Sequence, residues 1–67
     1  MNIETIFESL VNGQRKQMVE QIDEMGADVA FQALKEYLDN HYGDEPPITA
    51  YRYFSDATIS YFRIKAR

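Results

Sequence analysis

The sequence predicts an all-α fold: a small bundle of three to four short helices forming one domain over residues 1–67. Three observations carry this. Apolar residues recur at helical spacing through most of the chain. Asn12-Gly13, Gly26 and the run Tyr42-Gly43-Asp44-Glu45-Pro46-Pro47 cut that pattern into segments. There is no cysteine, so disulfides and zinc-thiolate sites are excluded. A chain this short buries only about 60% of the surface its unfolded form exposes. Well-packed helices or self-association are the remaining supports.

The first segment sets Ile3, Ile6, Phe7, Leu10 and Val11 on one helical stripe. Asn2 is placed to cap it, and Glu4 lies at the positive end of the helix dipole. Asn12-Gly13 ends this helix, with Gly13 free to take positive φ. Asn12 is also placed to accept hydrogen bonds from the next helix start. The second segment, Gln14 to Met25, puts Met18, Val19, Ile22 and Met25 on one side. Arg15, Lys16, Glu20, Asp23 and Glu24 take the other, with Lys16 and Glu20 spaced to pair for about 0.3 kcal/mol. Gly26 closes it.

The third segment begins near Ala27-Asp28, with Asp28 as its expected cap. Phe31, Leu34, Leu38 and either His41 or Tyr42 form its stripe, and Gly43 stops it. Pro46-Pro47 suits the first turn of a fourth helix, where a missing amide costs nothing. That helix is expected to place Tyr51, Phe54, Thr58, Tyr61 and Phe62 on one face, with Ala50, Ala57 and Ile64 beside them. The run from Thr58 to Ile64 is rich in strand formers. A strand there would have no partner within the chain, so helix is the expectation.

The net charge is −4, split unevenly along the chain. Residues 1–47 carry three basic against ten acidic side chains, a net of −7. Residues 48–67 carry four basic against one acidic, a net of +3. The last helix should therefore dock on an acidic body, or one of the two ends should meet a partner of opposite charge. No segment reads as a signal peptide, and no apolar run nears the roughly 18 residues of a membrane span, so neither a leader nor a span is expected. A cytoplasmic protein is expected.

Chemistry is sparse. Only His41 could act as a base for Ser9, Ser55 or Ser60, and none of these serines sits in a strand-turn-helix elbow. A metal site from His41 with Asp39, Asp44 and Glu45 competes poorly with a solvated helix end. The three glycines are isolated, so there is no phosphate loop. Neither catalytic residues nor a cofactor is expected. A helix-turn-helix turning at Gly13 would lead its second helix with Gln14, Arg15, Lys16 and Gln17, types that read base edges. Glu20, Asp23 and Glu24 follow on the same helix and would repel phosphates. Glu20, Asp23, Glu24, Asp28, Glu36 and Asp39 could instead form a phosphate-mimicking face, though ordinary solubility explains them equally well.

The run Leu10-Val11-Asn12-Gly13-Gln14-Arg15-Lys16-Gln17-Met18-Val19-Glu20-Gln21 resembles a group of short bacteriophage proteins of unknown function. These share an Asn-Gly-Gln-Arg-x-Gln turn and helix, and an aromatic end similar to Asp56-Ala57-Thr58-Ile59-Ser60-Tyr61. The resemblance covers about half the chain and carries over no catalytic residue. It implies a phage-infected bacterial cytoplasm, where small proteins modulate host machinery.

Five tyrosines exceed what a core this small needs, and tyrosine is enriched at interfaces. The expectation is a non-enzymatic protein-interaction module, phage-encoded, acting on a host or phage protein and able to self-associate. Its contact residues are expected to be Arg15, Gln17, Tyr51, Tyr53 and Tyr61. The alternative is a small nucleic-acid-binding regulator using Arg15, Lys16 and the basic tail.

Overall fold

A computed structural model describes residues 2–66. Four helices follow one another: α1 (Ile3–Val11), α2 (Arg15–Met25), α3 (Ala27–His41) and α4 (Pro47–Lys65). The expected all-α bundle is what forms, and the strand-rich run from Thr58 to Ile64 is helical. The Cα radius of gyration is 11.1 Å, matching the value of about 11 Å for a folded chain of this length.

The helix ends follow local chemistry. Asn2 is extended, and its Oδ1 accepts hydrogen bonds from the Thr5 amide and the Thr5 hydroxyl, both at 3.1 Å. At the other end of α1, Gly13 takes φ 73°. The Gly13 amide donates to the Leu10 carbonyl at 3.3 Å, and the Gln14 amide to the Ser9 carbonyl at 2.9 Å. This pair of bonds is a Schellman closure, so Asn12-Gly13 works as a helix stop. Asn12 is the C-cap of α1 and does not cap α2, which begins without a side-chain cap. Asp28 is not a cap either. Gly26 holds that position, and Asp28 falls in the first turn of α3, where its charge suits the dipole. Pro46 is extended and Pro47 starts α4, so only the second proline is helical.

Gly26 alone joins α2 to α3, at φ 96° and ψ 119°. A Cβ there would meet nothing within 4 Å, so the cost of a side chain is purely one of backbone. Gly26→Ala should lower stability by about 1–3 kcal/mol, the range for a non-glycine residue held in a sparsely allowed region. Urea unfolding followed by helical circular dichroism measures this. An unchanged midpoint would mean that the link relaxes to negative φ.

α2 packs against each of the other three helices, and α3 packs against α1 and α4 as well. Ile6 and Leu10 from α1 meet Met18, Val19 and Ile22 from α2 and Ala30, Leu34 and Leu38 from α3. One polar contact is built into this core: the buried Ser9 hydroxyl donates to Gln21 Oε1 at 2.8 Å, tying α1 to α2. α4 closes the core with Ala50, Ala57, Ser60 and Tyr61.

That last set corrects the expected face of α4. Tyr51 and Phe62 point outward, at 65% and 64% exposure. Small side chains at Ala50 and Ala57 let α4 lie close to its neighbours, with Ala57 fully buried. Half-buried Tyr53, Phe54 and Ile64 pack at the edges of this contact. Lys16 and Glu20 do not close into an ion pair. Among the described residues the ion pairs are Arg15–Asp56, Lys35–Asp39 and Lys65–Asp23.

Candidate functional site: the outer face of the last helix

Seating α4 on alanines leaves four of its large apolar residues on the far side. Ile48, Tyr51, Ile59 and Phe62 are all more than half exposed. Their spacing, with Ser55 between, keeps them on one helical stripe. At 1.5 Å per residue the stripe runs about 21 Å along α4. Scattered surface hydrophobics are ordinary, and it is their alignment on one helix that makes this face the candidate site. Arg52 and Arg63 flank it, and neither forms an ion pair among the described residues.

The five expected contact residues separate into different environments. Tyr51 lies on this face, beside a shallow groove of about 200 Å³ between α3 and α4 lined by Lys35, Leu38, Asp39, Pro47, Ala50 and Phe54. Tyr53 is half-buried and stacks on Tyr42, with ring centroids 5.0 Å apart and planes 4° from parallel. Its position is at the rim of the core. Gln17 is exposed on α2, away from the stripe in sequence and helix.

Arg15 and Tyr61 work inside the fold. Arg15 Nε donates to Ser60 Oγ at 3.1 Å, and its Nη2 reaches both oxygens of Asp56 at 3.3 Å. Arg15 therefore clamps the start of α2 to the middle of α4. Tyr61 was expected at a partner surface, and this is corrected: its ring is buried, edge-on to Phe31 at 5.2 Å between centroids. The Tyr61 hydroxyl donates to Asp23 Oδ1 at 2.7 Å, and Lys65 Nζ donates to Oδ2 at 3.0 Å. These contacts realise the docking of a basic last helix on an acidic body.

The polar contacts set a pH response. The Tyr61 hydroxyl, then Lys65, hold the Asp23 carboxyl below its ordinary 3.8. A lowered acid pKa contributes stability above that value and loses it as pH falls through the folded value. Burial, with Tyr53 alongside, pushes the Tyr42 hydroxyl up from 10.0 to about 12. The hydrogen bond to Asp23, followed by burial, raises Tyr61, and the same carboxylate raises Lys65. Raised groups contribute fully below their unfolded values and lose that contribution as pH climbs through the folded ones. The urea midpoint should therefore stay level from about pH 5 to pH 9, falling on both sides. Tyr61→Phe should flatten part of the acid limb. A midpoint that rises above pH 10.0, where free tyrosine ionises, would contradict this assignment.

Among the described residues, no three histidine, aspartate or glutamate side chains converge to hold a metal ion. His41 packs its ring against Phe7 at 4.9 Å and Tyr37 at 5.6 Å between centroids, within an aromatic cluster linking α1 to α3. No helix among the described residues is long and apolar enough to cross a membrane. No protein-family model, curated protein or solved structure matches the chain.

The residues that sequence reasoning missed are Ile48, Ile59 and the outward direction of Phe62. Their spacing was a usable signal. It was obscured because Phe54 and Tyr61, on the neighbouring stripe, are equally apolar.

Proposed function

We propose that this chain is a non-enzymatic protein-interaction module that binds through the outer face of α4. The exposed stripe of Ile48, Tyr51, Ile59 and Phe62, flanked by Arg52 and Arg63, supports the reading best. Aromatic and arginine side chains dominate the energetics of protein interfaces, and here both types stand together on a rigid helix. The likeness of Leu10–Gln21 to short phage proteins gives the setting: a phage-encoded modulator of a host or phage protein in the bacterial cytoplasm.

The nucleic-acid reading has less support. Arg15 is engaged with Ser60 and Asp56, leaving Lys16 as the basic side chain without an ion pair at the start of α2. Glu20, Asp23 and Glu24 follow it on the same helix.

The test is capture from bacterial lysate by tagged chain, with and without nuclease. A protein should be retained after nuclease by the native chain. Tyr51→Ala with Phe62→Ala should lose it by about 30-fold or more, as expected for interface anchors, with an unchanged unfolding midpoint. Recovery that vanishes with nuclease, or that is indifferent to both substitutions, would overturn the reading.

A further inference from the structure

We infer that the outer face of α4 pairs with the same face of a second copy of this chain, the two helices running antiparallel about a two-fold axis through Ser55. The inference rests on the α4 face being an interaction surface and names one occupant for it.

The stripe is palindromic in spacing. Ile48 and Tyr51 stand seven and four residues before Ser55, and Ile59 and Phe62 stand four and seven after it. A two-fold interface requires one patch to complement itself, residue i meeting j while j meets i. Antiparallel pairing about Ser55 does this: Ile48 meets Phe62 of the other copy, Tyr51 meets Ile59, and the small Ser55 meets itself. Each pair joins an aromatic to an isoleucine, so bulky rings never face each other. The small central residue permits close approach at the crossing.

Charge chooses the direction. The chain leading into α4 is acidic, with exposed Asp44 and Glu45, while its end carries exposed Arg63. None of these three forms an ion pair among the described residues. Antiparallel pairing sets Arg63 opposite Pro47 of the other copy, within three residues of its Asp44 and Glu45. Parallel pairing would set Arg63 beside Arg63 and Arg52 beside Arg52. The helix dipoles also oppose one another in the antiparallel arrangement.

Size sets the strength. A single helix-on-helix seam about 21 Å long falls below the roughly 1,200 Å² at which stable specific interfaces begin. The pair is therefore weak and reversible, so a tighter protein partner can displace one copy and take the face.

The absence of native cysteine makes the geometry directly testable. Ser55→Cys should form a disulfide-linked dimer under mild oxidation at least about tenfold faster than Glu20→Cys on the exposed side of α2, because pairing raises the local thiol concentration. Sedimentation of the native chain should show a monomer–dimer equilibrium between micromolar and millimolar concentrations. Arg63→Glu should weaken it, and Arg63→Glu with Glu45→Arg should restore it. Equal cross-linking rates, a monomer at every concentration, or no rescue by the charge exchange would overturn the pairing. Capture of another protein through Tyr51 and Phe62 would survive that result, so the two readings fail separately.

Discussion

Ile22→Ala should remove about 2–5 kcal/mol of folding stability, the range for truncating a fully buried isoleucine whose surroundings cannot collapse into the space. Ile22 has no exposed surface, and it lies on α2, which like α3 packs against all three other helices. A cavity there loosens several contacts at once. A small domain of this length has about 3–10 kcal/mol in total. The variant should therefore be partly unfolded at room temperature, with its urea midpoint shifted far down or its baseline lost. A loss below about 1 kcal/mol would mean that α2 does not hold the central place assigned to it.

The second large effect is expected from adding volume. Ala57 is fully buried where α4 lies on the bundle. Ala57→Leu should cost about 1–3 kcal/mol by forcing that contact apart. Its consequences should reach further than stability. Arg15 reaches across to Ser60 and Asp56, and Asp23 to Tyr61 and Lys65, so lifting α4 also strains both polar clamps. Partner capture should fall together with the unfolding midpoint. Substitution of Phe62 should lower capture alone. A stable Ala57→Leu protein with normal capture would show that α4 is not seated through its alanines.

Much of the fold was legible because helix boundaries are written locally. Asn2, Gly13, Gly26 and the prolines act on the backbone at or next to their own positions, and each ends or starts a helix where expected. Caps were less legible. Asn12 and Asp28 have the right chemistry for capping, but the one-residue link at Gly26 and the Schellman closure at Gly13 had already fixed the chain path. The phase of α4 was hidden for a different reason. Apolar side chains cover most of the circumference of this helix, so periodicity offers two candidate faces. The large residues suggested one, and close helix packing selects the other, centred on Ala50 and Ala57.

The same ambiguity decided how much of the site could be read. Tyr51 was singled out by the tyrosine surplus, and it is exposed on the outer face. Ile48 and Ile59 carried no such mark. Arg15 and Tyr61 were chosen for their type, while their real roles depend on Ser60, Asp56, Asp23 and Phe31, which lie far away in sequence. Nothing in the sequence announces a contact across 45 positions, such as that of Arg15 with Ser60.

α4 buries its alanine face and presents its isoleucine and aromatic face. A residue-resolved amide NMR spectrum of the isotope-labelled chain, recorded as the protein it captures is added, tests which surface the partner meets. Signals of Ile48, Tyr51, Ser55, Ile59 and Phe62 should shift or broaden together, while those of Arg15, Lys16 and Gln17 stay in place. Changes centred on Arg15 to Gln17, with the outer positions of α4 unmoved, would place the contact on α2 instead.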